Sequence, residues 1–343
     1  MRVFLIFAAI VSSLVCSVEV RAQEEATVEL VAVGDILLDR GVAKRIGREG
    51  TGRVFADVEE EIAGADVAFG NLENPVASRC RWKAAKKISF QAQPATAYAL
   101  SGAGFDLVSL ANNHTLDCGK SGLWETIDHL KARGLRWVGA GPTPAAAAAP
   151  VVLNLKGIKI AFVAFTDIEP GPNMWAGVAR ASTFALRRAV TAARAAGANA
   201  VVVSLHWGTE YASRPGARQR ELAQAAVEAG ADLVLGHHTH TLQGLEAFAP
   251  QGHTTRRALV AYSLGNFVFD SPPSPVRRVV ESVILRCRFS KDGLVSAEVR
   301  AVVLDRYLPR PAAPDESRNI FQRLAELSAE LGTNLTGGRV DLR

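Results

Sequence analysis
A single pattern recurs along this chain: a stretch of helical composition closed by glycine, a short apolar run, then a polar side chain able to bind a metal. The first apolar run, residues 27–33, ends at Gly34-Asp35. A helical stretch over 54–62 stops at Gly64 and leads through 66–69 to Gly70-Asn71-Leu72-Glu73. Another opens near Pro94, stops at Gly104 and leads through 105–110 to Ala111-Asn112-Asn113-His114. Residues 185–196 stop at Gly197 before the run 201–205 and His206. Residues 217–229 stop at Gly230 before 232–235 and Gly236-His237-His238-Thr239-His240.

Glycine suits the left-handed position just past a helix end. Runs that are apolar throughout, rather than alternating, imply strands buried on both faces. Helix–strand alternation then predicts an α/β fold with largely parallel pairing, in which groups at the carboxyl ends of the strands converge on one crevice. His114, His206, His237, His238 and His240, five of the 7 histidines, fall at those ends. His129, on a helix, and His253, in a polar loop, receive no role.

Each of these residues alone has an ordinary explanation: Asp35 as a turn residue or helix cap, Asn112-Asn113 as a turn, the histidines as a solvated loop. Repetition in the same structural slot weighs against that explanation. Pooled, Asp35, Asn71, Glu73, Asn113, His206, His237, His238 and His240 supply carboxylate, amide oxygen and imidazole. That donor set suits one or two divalent ions such as Mn, Zn, Fe or Mg, and hydrolytic chemistry needs no thiolate beside it. His114 and Asp117 are candidate catalytic groups, and Arg40, shortly after Asp35, can clamp an anionic group through its guanidinium fork.

The remaining stretches read more plainly. Residues 151–154 and 158–165, joined at Lys156-Gly157, form a hairpin, reached through a surface connection over 142–150. Residues 279–288 and 294–304 alternate apolar with polar around Lys291-Asp292-Gly293, predicting a second hairpin with one exposed face. Residues 309–314 read as a connector, 320–331 as a terminal amphipathic helix, and the last dozen as frayed. With 39 Lys+Arg against 34 Asp+Glu and no basic stripe, the charge pattern argues against nucleic-acid binding.

Arg2, an apolar run over 3–15 and Val20-Arg21-Ala22 before Gln23 describe a secretory signal peptide over 1–22, so the expected protein is exported, periplasmic or extracellular. Lipid anchoring at Cys16 is the weaker reading, because Val15 stands where a small residue is wanted. Cys80 and Cys118 each follow a ligand-bearing strand end, so a disulfide between them suits an oxidising compartment, and Cys287 reads as a buried thiol.

Several of these segments carry a family resemblance. Gly34-Asp35-Ile36-Leu37-Leu38-Asp39-Arg40, Asn71-Leu72-Glu73-Asn74-Pro75, Ala111-Asn112-Asn113-His114-Thr115-Leu116-Asp117, His206-Trp207-Gly208-Thr209-Glu210-Tyr211, Gly236-His237-His238-Thr239-His240 and Tyr262-Ser263-Leu264-Gly265-Asn266-Phe267 occur in order between about 28 and 270. They resemble the CapA-type capsule, or poly-gamma-glutamate, synthesis proteins, a branch of the calcineurin-like metallophosphoesterases. The resemblance implies a four-layer α/β sandwich, two mixed sheets with flanking helices, over residues 23–310, followed by a C-terminal helix and tail over 311–343. It implies Asp35 as a first-motif ligand, Asn113 as the ligand of an Asn-His motif, His114 as general acid, and His206 with two of the last three histidines completing the shell. Either His237 or His238 can stand beside His240.

Two positions depart from the superfamily pattern. Leu37 occupies a place normally held by histidine, and Asn71 with Glu73 replaces a bridging aspartate. The implied activity is a metal-dependent hydrolase or transferase acting on an anionic cell-envelope polymer or its phosphorylated precursor. The alternatives are a non-catalytic accessory factor of membrane synthase subunits and a periplasmic phosphoesterase with a small substrate.

Overall fold
The structure, a computed structural model, describes residues 26–80, 88–169, 177–249, 256–270 and 278–342. The expected signal peptide, Cys16 and His253 lie outside the described residues. In the first half, β1 (Val28–Ile36), α1 (Arg40–Glu49), α2 (Glu59–Ala63), β2 (Val67–Leu72), α3 (Ala97–Gly102), β3 (Leu107–Ser109), α4 (Gly119–Ala132) and β4 (Arg136–Val138) follow one another. Next come α5 (Pro144–Ala147), β5 (Val151–Leu155), β6 (Ile158–Thr166), α6 (Thr183–Ala195), β7 (Ala200–His206), α7 (Ala217–Glu228) and β8 (Leu233–His237). The chain continues through β9 (Leu245–Phe248), β10 (Ala258–Ala261), β11 (Asn266–Val268), β12 (Glu281–Ser290), β13 (Gly293–Asp305), β14 (Leu308–Pro311), α8 (Pro314–Ala329), β15 (Leu335–Thr336) and β16 (Arg339–Val340).

Two mixed sheets result. The first runs β15-β16-β13-β12-β1-β2-β3-β4, with β11 joining β1 and β14 joining β13; the second runs β5-β6-β7-β8-β10-β9. Alternation along β6 and β7 shows how they stack. Ile160, Phe162, Ala164 and Val202 face a core shared with Val31, Phe69 and Leu285 of the first sheet. Their neighbours Ala161, Val163, Phe165, Val201 and Val203 face the other way, against Leu186 and Val190 of α6 and Leu222 of α7. Phe69 and Phe162 stack across the two sheets with centroids 5.8 Å apart. Trimming either ring to alanine removes both burial and that contact, a loss of about 3–5 kcal/mol. On the far side of the first sheet, α3 and α4 bury Leu100, Leu123, Ile127 and Leu130. The order helix, sheet, sheet, helix is the expected four-layer sandwich.

Local expectations differ from the structure in four places. Residues 54–62 are not one helix: a 3₁₀ turn at Thr51–Arg53 passes through turns into the five-residue α2. Val54, Phe55, Val58 and Ile62 are nevertheless all buried, so the apolar face is real while the backbone is broken. The connector over 309–314 instead supplies β14, and α8 starts at Pro314, where proline's fixed φ suits a first helical turn. The end of the chain is not frayed, because β16 pairs with β13 at Glu298↔Arg339. The hairpin of β12 and β13 exposes a face only in part; Val283, Ile284 and Leu285 are all buried.

Candidate metal centre
Strand register sets the depth of each functional side chain. Asp35 on β1 pairs in register with Asn71 on β2 and with Asn266 on β11, and Asn71 with Ser109 on β3. Across the gap between sheets, His206 on β7 is in register with His237 on β8. Two glycines let these ends come together. A Cβ on Gly34 would lie 1.9 Å from the Gly265 carbonyl oxygen, and one on Gly236 would lie 1.9 Å from that of Tyr262. Each precedes a ligand-type residue, so close backbone approach and side-chain placement are the same event. Beyond β8 the chain turns sharply: His238 and His240 adopt φ of +89° and +57°. Non-glycine residues held there cost about 1–3 kcal/mol each and concentrate at functional sites.

Asp35 lies at the base of the cluster. Its Oδ1 accepts the Asn71 Nδ2–H at 2.8 Å and lies 3.3 Å from His237 Nδ1. Its Oδ2 accepts the His238 backbone N–H at 3.1 Å and lies 3.5 Å from His240 Nδ1. Burial pushes the Asp35 carboxyl upward, but hydrogen bonds and charge from His237 and His240 outweigh it and hold the group well below the usual range. Glu73 has the opposite environment. Burial, reinforced by the Asp35 charge, drives it well above the usual range. Glu73 Oε1 lies 3.7 Å from His206 Nε2 and 4.0 Å from His240 Nε2, and neither carboxylate oxygen has a hydrogen-bond partner among the described residues.

The imidazoles divide in the same way. Burial and the neighbouring His238 lower His206, and burial with His240 lowers His238 to about 3. Burial acts downward on His240 too, but there Glu73 and Asp35 overcome it and raise the group to about 9. His206 Nε2 stands 2.8 Å from Asn113 Oδ1, and its Nδ1 stands 3.3 Å from Asn71 Nδ2. Exposure grades outward: Asp35, Asn71, Glu73 and His237 are sealed, His238 and His240 keep 6%, and Asn113 is half-buried.

Three overlapping groups have ligand atoms within 4.8 Å of one another: Asp35–Glu73–His240, Glu73–His206–His238 and Glu210–His238–His240. Glu73, His238 and His240 each belong to two of them. Buried oxygens of Glu73 and Nδ1 of His238 without hydrogen-bond partners among the described residues are the condition expected of groups that take a cation. The residues therefore fit a divalent ion, and Glu73 is placed to be shared between neighbouring positions.

The other predicted residues fall around this core. His114 Nδ1 lies 2.6 Å from Asp117 Oδ2, which also accepts the Phe90 backbone N–H at 2.8 Å. The Phe90 ring lies 4.2 Å from the His114 ring. Arg40 stands apart from the cluster: its Nε pairs with Asp270 at 3.4 Å and its side chain is about half exposed. Leu37 is wholly buried with Phe90, Phe269 and Leu304, and Phe269 packs on the His240 ring at 4.6 Å. Where a histidine is expected from the superfamily pattern, this chain builds an apolar wall.

Sequence reasoning missed three contributors. Asn112, read there as a turn, donates Nδ2–H to Asn71 Oδ1 and the Leu72 carbonyl while accepting the His114 backbone N–H. Asn266 Oδ1 lies 2.9 Å from His240 Nδ1. Glu210 sits in a motif quoted above but is an exposed loop carboxylate that no periodicity marks.

Comparison with known proteins settles the family. The sequence profile of the bacterial capsule synthesis protein PGA_cap matches residues 29–271. This chain belongs to that family. It is 32% identical over 319 residues to the capsule biosynthesis protein CapA of Bacillus anthracis, covering 90% of this chain and 75% of that protein. It is also 32% identical over 303 residues to the PGA biosynthesis protein CapA of Bacillus subtilis (strain 168), covering 86% and 77%. Among solved structures, a hypothetical protein from Thermus thermophilus superposes with TM-score 0.50 at 17% identity, covering 82% of this chain and 100% of that one. The calcineurin-like phosphoesterase YfkN from Bacillus subtilis gives 0.48 at 12% identity, covering 88% and 97%. The capsule synthesis profile ends at residue 271, so it spans every residue of the cluster.

Proposed function
We propose that this capsule synthesis family member is an exported, metal-dependent hydrolase or transferase that acts on a phosphoester or related bond of an anionic cell-envelope polymer or its precursor. The observation that carries the reading is Glu73, a sealed carboxylate between His206 and His240 with no partner for either oxygen among the described residues. A carboxylate so placed is costly unless a cation accompanies it. Asp35, Glu73, His206, His238 and His240 would hold the ion, with His237, Asn71 and Asn113 closing the shell. A divalent cation there supplies Lewis-acid chemistry, neutralising charge on a phosphoryl or carbonyl oxygen.

The chain's own groups divide the remaining work. Asp117 accepts the His114 Nδ1–H, which fixes the tautomer and leaves Nε2 as the nitrogen that exchanges a proton with a leaving oxygen. Asn112 sets the depth of that turn by bonding to both Asn71 and the His114 backbone. Arg40 would meet an anionic group only by exchanging its Asp270 partner. The Cys80–Cys118 disulfide supports export, since such bonds persist in oxidising compartments.

Elemental analysis of the protein from Gln23 onward tests the reading. Asp35→Ala and His240→Ala are expected to lose the metal while His114→Ala keeps it and loses turnover. Parent protein without divalent metal after loading would refute the proposal. Leu37, in its apolar wall, favours a second reading, a non-catalytic accessory factor of a membrane synthase. Turnover that depends on His114 would exclude it.

A further inference from the structure
Of the stretch His206-Trp207-Gly208-Thr209-Glu210-Tyr211, the activity above uses only His206. The rest of it holds one exposed carboxylate, Glu210, against the histidine turn. Trp207 is wholly buried, with its Nε1–H on the Tyr262 carbonyl at 2.9 Å and its backbone N–H on that of His237 at 3.3 Å. Gly208 adopts φ of +86°, where a Cβ would lie 2.7 Å from the Gln219 side chain. That buried Gln219 amide accepts the Gly216 N–H at 3.0 Å and donates to Gln243, whose own amide donates to the Ala212 and Arg214 carbonyls at 2.9 and 3.1 Å. Tyr211, at φ of +66°, donates its backbone N–H to the Thr239 carbonyl at 2.7 Å. Glu210 is therefore fixed one residue from a bond to the turn between His238 and His240.

The ligand atoms of Glu210, His238 and His240 lie within 4.8 Å of one another. The Glu210 carboxylate has no hydrogen bond or ion pair among the described residues. His238, only 6% exposed, has a buried Nδ1 that is likewise without a partner among them. An ordinary surface carboxylate is solvated and loosely held, whereas this one stands on a pinned loop beside an unpartnered imidazole. His240 also borders the apolar wall, since Leu37 packs with Phe269, whose ring lies 4.6 Å from the His240 ring. Leu37 offers no donor where the superfamily pattern has a histidine, and Glu210 offers one beside the same imidazole from the loop after β7.

We propose that Glu210 is a metal ligand, reaching in from the loop after β7 to replace the donor lost at position 37. The inference rests on the proposed function in taking the cluster as a metal centre, and it adds a ligand and a metal preference. A carboxylate in place of an imidazole makes the donor set harder and one charge more negative, which suits manganese or magnesium better than zinc.

The test is manganese and zinc binding to the chelator-stripped protein from Gln23 onward, by isothermal titration calorimetry, with thermal unfolding in chelator beside it. Glu210→Gln should weaken manganese binding roughly tenfold or more, the low end of what even indirect supports of metal ligands contribute. Glu210→Asp, which keeps the charge but shortens the reach, should weaken it as well. The loss should be greater for manganese than for zinc. Because Glu210 is exposed and its loop is held by backbone and glutamine contacts, the metal-free variants should unfold at the parent's midpoint. A smaller loss in Glu210→Gln, parent affinity in Glu210→Asp, a zinc loss as large as the manganese loss, or a lowered metal-free midpoint would each overturn the assignment while leaving the metal centre in place. Parent protein that binds neither ion would instead refute the proposed function, and this inference would fall with it.

Discussion
Replacing Glu73 by glutamine should act in opposite directions on the metal-free and metal-loaded protein. The ligand oxygens of Asp35 and Glu73 lie within 4.8 Å of one another. At an effective dielectric constant near 20, two ionised carboxylates at that distance repel by about 3–4 kcal/mol. In the metal-free protein burial and the Asp35 charge disfavour the ionised form of Glu73, in accord with its raised pKa. A raised folded pKa costs stability wherever the unfolded chain is ionised, that is, above the usual carboxylate range. Glu73→Gln removes that cost, so the metal-free variant should be at least as stable as the parent. With metal the sign reverses. At a free ion concentration a thousandfold above Kd, linkage adds about 4 kcal/mol to the parent, or about 6 °C in Tm for a chain of this length. The variant should show little of that shift. Differential scanning calorimetry with chelator and with manganese measures both halves. A variant destabilised without metal and still shifted by metal would show that Glu73 is a structural residue, and the reasoning would fail.

Three further outcomes are expected. Cys80→Ser should cost about 4 kcal/mol on the chain-entropy estimate for a sequence separation of 38, read as a lowered denaturation midpoint that reductant reproduces in the parent. Gly236→Ala should yield little folded protein, since its Cβ would collide with the Tyr262 carbonyl; soluble, metal-binding Gly236→Ala would contradict the close-approach argument. Glu316, held to about 2 by Arg310 and the Ala313 N–H, caps α8. Its lowered pKa places that stabilisation above about pH 4.5, to be lost as pH falls toward 2. With the side chain 37% exposed, Glu316→Gln should cost no more than about 1 kcal/mol at pH 7 and nothing at pH 2, by thermal unfolding at both values.

Much of the architecture was legible because burial on both faces leaves a plain signature. The runs that became β1, β2, β7 and β8 are continuous and apolar, and the hairpin at Lys156-Gly157 pairs as its turn suggests. What escaped is short or polar. β4 has three residues, two of them Arg136 and Trp137, and α1 reads RGVAKRIGRE, with Val42 its one buried apolar side chain. Residues 54–62 misled because Val54, Phe55, Val58 and Ile62 are spaced for a helix, and periodicity reports the buried face rather than the hydrogen bonds behind it. The disulfide followed from where Cys80 and Cys118 lie relative to strand ends, and the structure joins those two residues. Asn112 and Asn266 were opaque because their importance lies in which partner they orient, and a sequence does not record long-range pairs such as Asn266 with His240.

The two departures from the superfamily pattern are connected through one side of the site. At position 37 a histidine would be placed among Phe90, Phe269 and Leu304, where an imidazole would be dehydrated without a partner. Leucine there lets Phe269 pack on His240 and Phe90 on His114, so the wall fixes the two rings that remain. The carboxylate, meanwhile, sits at Glu73 rather than at 71, and Asn71 serves as a hydrogen-bond link between Asp35 and His206. Moving the charge two residues along, with a longer side chain, brings it within 4.0 Å of both His206 and His240. A relic site would have no reason to retain a sealed carboxylate whose cost grows when the cation is lost. If the proposed function holds, the centre is one rebuilt around a different carboxylate, and Glu73 is the residue whose replacement decides between rebuilding and decay.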